Sequence, residues 1–449
     1  MNTLEQLYKP GHIAPLATFR LIFGAILFFH VLSFFFNGLI VELFIEPSFF
    51  FHAANLTWLK PLPVAGMYTV FGILALLAFL ISIGFLFRYA AILFLLLYFY
   101  VSHIDIAQSA HFSDFYLLTL FILTVLPAHR YFSLDILRKP SLRVDFIPRW
   151  CIWAIKIQVA MLFFSAGLAK LNSQWLIECQ PFLTWVNMYW GNGLLGKTFS
   201  TPWIAKLTCW FIVIVEFAGP VAMFFSKTKT KVYLFLTAFL LFSFILLPTG
   251  LLPIQIILLS TIYLSEKLHH NLTSRIAYFA NDFLNFNPRV FKSGRNLMLA
   301  YKNKIIIPLF FTWMYGIILF SNVNIFISYL KDDHHLKDLK ISEKLIINKK
   351  EGHLKLLIDN DLEVDLDYEL TPSQIRAMSV DPSLMLQFSR HLKQKYRENE
   401  AYQDIKADAY ISLNGKQYQR FINPNINLAN FTGKSEELLK TNNKDKQLE

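Results

Sequence analysis

The chain has 449 residues, of which 55% are hydrophobic and 16% charged, with 45 phenylalanines and a net charge of +11. Soluble domains carry about 25% charged residues, so composition excludes an ordinary soluble protein and makes the lipid bilayer the expected surrounding. Most of the positive charge lies in loops between apolar runs, where it sets orientation, so no nucleic-acid partner is expected.

The first apolar run, Ile13 to Phe36, is too long for the core of a cleaved signal, and no small-residue cleavage site follows it. It reads as a retained span. Hydropathy then predicts about nine transmembrane helices, at 13–36, 66–87, 89–104, 112–128, 149–169, 203–225, 231–247, 249–264 and 305–329. Pro248-Thr249-Gly250 marks a tight turn between the seventh and eighth. One set of loops carries Arg88, then Arg130, Arg138, Lys139 and Arg143, then Lys227, Lys229 and Lys231, then Lys267, Arg275 and the basic residues after them. The opposite set holds little beyond Lys60, Lys170 and Lys197. The positive-inside rule puts the first set and the N-terminus in the cytoplasm, and an odd number of spans leaves the C-terminus exported.

The exported loop 37–65 is a compact segment with Trp58 at the interface, and the loop 170–202 carries Trp175, Trp185, Tyr189, Trp190 and Trp203, the composition of an interfacial aromatic belt. The inner loop 265–304 reads as a surface-lying connection, amphipathic over Ile276 to Phe286. His269 and His270 there lack a third ligand in sequence and read as solvated. The three cysteines, Cys151, Cys179 and Cys209, show no metal or disulfide spacing.

From about Lys331 the composition turns soluble. Residues 341–368 suggest a hairpin turning at Asp359-Asn360-Asp361, and Thr371-Pro372 and Asp381-Pro382 open two helices, the second with Leu384, Phe388 and Leu392 on one face. Ala407 to Leu413 and Gln417 to Ile422 pair across Asn414-Gly415. The expected fold is a polytopic α-helical membrane protein: a transmembrane domain over 1–330, a small exported α+β domain over 331–434 and a disordered tail over 435–449.

Two groups of polar residues sit where lipid makes them costly. Arg20, Lys156 and Glu216 lie at similar depth on three spans, about 12–15 Å from the cytoplasmic ends, which suggests a structural ion-pair cluster. On the outer side, His103, Asp105 and His111 accompany Lys170 and Asn172, with His52 and Lys60 in the preceding exported loop, and no metal-ligand spacing joins them. Lys170 ends the run Gln158 to Ala169, whose last turn is small: Ser165, Ala166, Gly167 and Ala169. Such a turn admits a neighbouring helix or a flat ligand. A lysine there either snorkels to the headgroups or, in a partly apolar pocket, acts as a base for a weakly acidic hydroxyl.

Several motifs resemble the vitamin K-dependent gamma-carboxylases and their bacterial relatives. They are Leu16-Ala17-Thr18-Phe19-Arg20, Glu46-Pro47, Trp58-Leu59-Lys60-Pro61-Leu62-Pro63, Gly84-Phe85 with Arg88, and Leu126-Pro127-Ala128-His129-Arg130 with Phe132-Ser133-Leu134-Asp135. Gln158 and Ala166-Gly167-Leu168-Ala169-Lys170-Leu171-Asn172 with Trp175 follow, then Leu386-Gln387-Phe388, Ser412-Leu413-Asn414-Gly415, Gln419-Arg420 and Asn423-Pro424. The resemblance implies an integral membrane enzyme, here of a bacterial inner membrane. It would oxidise a reduced naphthoquinone, vitamin K or a menaquinol-like quinol, to its epoxide with O2, and carboxylate an exported glutamate-containing protein or peptide with CO2 and without a metal. It assigns Lys170 as the base that deprotonates the quinol, with His111 and Asn172 beside it, and Trp58, Lys60, Gln158, Gly167 and Trp175 to the cofactor. The chain departs from the family's pattern at Ala110-His111, in Thr237 to Leu247, which holds no histidine, and over Asn324 to Leu339, which holds no tryptophan. A quinol epoxidase without carboxylation, and a non-enzymatic membrane protein in which Lys170 only anchors a helix, are the alternatives.

Overall fold

The computed structural model describes residues 7–284 and 350–438, apart from short stretches at 54–55, 192, 225–226, 228, 248, 359–361, 397–403, 414–416, 434 and 436–437. The expected span 305–329, the segment Asn324 to Leu339 and most of the 435–449 tail lie outside the described residues.

Each of the first eight expected spans is a helix: α1 Ala14–Phe36, α2 Val64–Ile83, α3 Phe87–His103, α4 Asp114–Val125, α5 Trp150–Ala169, α6 Pro202–Phe224, α7 Lys229–Leu246 and α8 Leu252–Ser260. By length and apolarity α1, α2, α5, α6 and α7 suffice to cross a membrane, whereas α3, α4 and α8 are shorter apolar helices. The count of nine spans therefore goes beyond what these helices establish. Large apolar residues such as Leu76, Leu96, Leu207 and Ile245 face outward from them, as suits a lipid-facing surface. A further long helix, α9 Glu266–Leu284, has little net hydrophobicity. It begins with a packed face rather than a solvated loop, since His269 and Thr273 are buried.

The chain divides into two compact units, Met1–Ser33 with Val70–Tyr98 and Asp114–His334, and Phe34–Thr69 with Phe99–Ser113 and His335–Glu449. In the first unit α6 packs on α5 and α7, and α8 on α7 and α5. Strand β1 (Pro10–His12) pairs antiparallel with β2 (Phe146–Pro148) before the first and fifth helices.

Several shared motifs meet in one knot of this unit. The fully buried Arg20 guanidinium donates to the carbonyls of Ala128 at 3.0 Å and Phe132 at 2.6 Å. Gly84 lies against it with φ +68°, and a Cβ there would fall 2.5 Å from Arg20 Nη1. Asp135 takes the N–H groups of Leu86 at 2.8 Å and Phe87 at 3.1 Å, capping the start of α3 from a distant segment. His129 stacks on Phe87 with ring centroids 5.7 Å apart.

The second unit holds a four-stranded sheet in the order β4-β3-β5-β6, with β3 Lys350–Ile358, β4 Leu362–Glu363, β5 Ile405–Leu413 and β6 Gln419–Arg420. The expected hairpin is present but short. Most of β3 pairs antiparallel with β5, from Lys350↔Leu413 to Ile358↔Ile405. Thr371 and Gln374 form a capping box at α10 (Pro372–Met378), and Asp381 caps α11 (Pro382–Lys395) through the N–H of Ser383. Leu384, Phe388 and Leu392 of α11 enter a core that also takes in Phe51, with Phe49, Ile106 and Ala107 packed against it. The loops 37–63 and 104–113 thus contribute to the same core as the C-terminal strands.

Candidate active site

Helix α5 ends at Ala169, and the N–H of Lys170 still bonds to the carbonyl of Gly167 at 3.1 Å. Asn172 then turns the chain. Its amide donates to the Ala169 carbonyl at 2.9 Å and its oxygen accepts from the N–H of Trp175 at 2.9 Å, capping the short helix Ser173–Leu176. Both ends of the Asn172 side chain are used in shaping this turn.

A helical Cα–Cβ bond points toward the helix N-terminus, and the Lys170 side chain follows it back into the bundle. Nζ donates to the Ala166 carbonyl at 3.2 Å and to Glu216 Oε1 of α6 at 2.7 Å. Lys170 and Glu216 are 8% and 9% exposed, so the pair is desolvated. Breaking such a pair by removing one partner costs about 3–5 kcal/mol. Gly167 makes the approach possible: a Cβ there would lie 2.8 Å from Phe217 Cε2, the neighbour of Glu216. The small turn at Gly167 accordingly receives a neighbouring helix. Trp175 is fully buried, donates from Nε1 to the Cys209 carbonyl at 3.2 Å, and places its ring 5.5 Å from Lys170 Nζ.

The expected cluster of Arg20, Lys156 and Glu216 does not form. Glu216 pairs with Lys170, Arg20 is spent on carbonyls in the knot, and Lys156 Nζ lies 5.7 Å over the ring of Tyr263. Backbone depth misjudged the partners because a lysine's four-carbon stem carries its charge well away from its own Cα. The aromatic belt also needs correction. Trp175 and Trp185 are buried in the unit's core, while Tyr189 and Trp203 are exposed.

Two carboxylate or amide oxygens in this unit, Glu216 Oε2 and Gln158 Oε1, are buried with no hydrogen-bond partner among the described residues. Gln158 donates through Nε2 to Thr119 Oγ1 at 3.3 Å. Further polar contacts cross the helices, Tyr98 to His30 at 3.3 Å and Tyr116 to Gln255 at 2.8 Å. The sequence held their signal, single polar residues inside apolar runs, but not their pairing.

Trp58, Lys60 and His111 belong to the second unit. Trp58 is 71% exposed, and the Lys60 carbonyl accepts from Tyr100 Oη at 2.7 Å. Burial lowers the pKa of His111 below 6.5 against the opposing charge of Glu42, and burial together with Lys60 lowers that of His52. Asp105 serves a structural end. It accepts from Gln374 Nε2 at 2.6 Å and from the N–H of Ala107 at 2.9 Å, and burial pushes its pKa up to about 6. His103 stacks on Phe99 with centroids 4.0 Å apart. No group of three or more His, Cys, Asp or Glu among the described residues is placed to hold a metal ion.

No solved structure matches the chain. The family model described as the HTTM domain matches residues 8–267, which holds the bundle, the knot and the Lys170 turn. The model described as the vitamin K-dependent gamma-carboxylase lumenal domain matches residues 340–438, which holds the sheet and its two helices. With the first match covering more than half of the chain and the second following it in order, the protein belongs to the vitamin K-dependent gamma-carboxylase family.

Proposed function

We propose that the protein is a membrane enzyme that couples oxidation of a reduced naphthoquinone of the vitamin K or menaquinol type to γ-carboxylation of glutamate in an exported protein or peptide, with O2 and CO2 as co-substrates. Lys170 is its base. The observation that carries this reading is the direction of the lysine. A snorkelling lysine extends its stem toward the headgroups, whereas the Lys170 amine turns one helical turn back, to Ala166 and Glu216.

The surroundings suit a quinol. The unpartnered oxygens Glu216 Oε2 and Gln158 Oε1 are acceptors for hydroxyl groups, and Trp175 supplies apolar ring surface beside the lysine, with the Phe217 ring against Gly167. When bound, the quinol together with O2 supplies the strong base that γ-proton removal needs and that no side chain provides. The chain's own part is narrower. Lys170 Nζ takes a hydroxyl proton, Asn172 holds the turn that aims it, and buried Trp175 keeps water from that side. The lumenal module serves the glutamate-bearing partner. In this reading the bundle lies in a bacterial inner membrane with the N-terminus cytoplasmic and the module exported.

The test is incubation of purified protein with a reduced naphthoquinone, labelled bicarbonate and a glutamate-containing peptide. Epoxide and incorporated label are expected together; epoxide without label across several peptides would favour a quinol epoxidase. Lys170→Arg and Lys170→Ala should fold and bind quinone yet make no epoxide, because arginine, with a pKa above ~12, sheds no proton near neutrality. Small primary amines at rising pH should restore some turnover to Lys170→Ala. Full epoxidase activity in Lys170→Arg would make the lysine an anchor only.

A further inference from the structure

We propose that Glu216 is the internal proton acceptor of Lys170: the two side chains share one proton across the Nζ–Oε1 contact, so the free amine of a base is made inside the bundle without a proton leaving for water. This rests on the reading of Lys170 as the base and deepens it.

An ammonium has no lone pair. A lysine held permanently as the cation of an ion pair therefore cannot take a proton from anything. At 2.7 Å the carboxylate is within hydrogen-bond distance of the amine, and it is the ionised partner that Lys170 meets among the described residues. Moving one proton breaks an Nζ–H bond and forms an Oε1–H bond. The pair's net charge stays zero, while two separated charges become two neutral groups, the form a desolvated site favours. Once the new Oε1–H turns away, Nζ donates an N–H to Oε1 and its single lone pair is free for an outside donor. When Nζ takes a proton from an acidic hydroxyl, it becomes an ammonium again beside a neutral acid. The pair gains one positive charge, which balances the negative charge left on the donor oxygen.

The second carboxyl oxygen fits this role. Glu216 Oε2 is buried and has no partner among the described residues, so it can receive the hydrogen bond of an incoming hydroxyl close to the amine. The charge bearing on Glu216 is that of Lys170. A further titratable group facing the lysine is the buried, free thiol of Cys209 on α6, which has the free Cys179 beside it.

Infrared difference spectra of the protein without quinone provide a readout independent of activity. The wild type should show the carbonyl stretch of a protonated buried carboxyl that is missing from Glu216→Gln. Should that variant not fold, the doubly neutralised Glu216→Gln/Lys170→Met serves as the blank. In turnover, Glu216→Gln should lose about 100-fold or more in kcat. Its remaining rate should climb about tenfold per pH unit, because Lys170 must then lose its proton to water, while the wild type stays flat near neutrality. Glu216→Asp should recover part of the loss. A wild-type kcat and pH profile in Glu216→Gln, or identical infrared spectra, would overturn the proposal. If the wild type makes no epoxide, the reading of the enzyme fails, and the infrared comparison still decides where the proton lies.

Discussion

His129 shows how one buried side chain can make stability depend on pH. It is 7% exposed, and burial together with the positive charges of Arg88 and Arg130 lowers its pKa from 6.5 to about 4, against the opposing Asp135. The folded state therefore holds it neutral while the unfolded state binds a proton below pH 6.5. Its contribution is fully present above that value and is lost as pH falls toward 4, by about 2 kcal/mol between pH 7 and pH 5. His129→Phe keeps the ring that stacks on Phe87 and removes the titration. Melting in detergent at pH 7 and pH 5 should show a smaller acid loss for the variant than for the wild type; equal losses would mean the histidine is already protonated when folded. Lys170 and Glu216 show the limit of sequence reasoning at this scale. Hydropathy placed both residues in or at the end of apolar runs, and each is there. What it could not supply was their meeting, which depends on Gly167 admitting Phe217 and on the direction of a flexible stem.

The helices themselves were the most legible part of the chain, because about twenty apolar residues in a row have few other uses. The expected break at Pro248-Thr249-Gly250 falls between the observed α7 and α8. Less legible was the work of the shared motifs. Arg20, Gly84 and the segment holding Ala128, Phe132 and Asp135 are widely separated in sequence, and only folding reveals that they hold α1 against the start of α3. Gly84→Ala meets two obstacles, a left-handed φ of +68° and the Arg20 guanidinium 2.5 Å from the new Cβ. Gly250→Ala meets one, φ +55°, with nothing among the described residues within 4 Å of its Cβ. Gly84→Ala should therefore cost about 3 kcal/mol or more, and Gly250→Ala about 1 kcal/mol. Melting temperatures of the two variants side by side would test this. Equal shifts would show that the guanidinium yields easily and that the knot is loosely packed.

For the whole molecule, loop charge yields a direction across the membrane that can be checked on cells. Asn425 and Ser141 are both exposed positions, one in the lumenal module and one in a basic loop of the first unit. In a cysteine-free background, a cysteine at Asn425 should react with an impermeant thiol reagent on intact cells. One at Ser141 should react only after permeabilisation, and the reverse pattern would invert the orientation. The sequence marked the C-terminal module by its change of composition, but not the early loops that complete its core, because a compositional boundary says nothing about which distant segments fill a gap. Phe51 is fully buried in that core, Gln374 donates to the Phe49 carbonyl at 2.8 Å and to Asp105 at 2.6 Å, and the N–H of His52 reaches Gln387 at 3.2 Å. Translation delivers these partners some three hundred residues apart. The core that these early loops share therefore cannot be completed until the last part of the chain has been synthesised. Maturation of this core is thus timed by the end of synthesis, and a truncated chain would leave Phe49 and Phe51 uncovered.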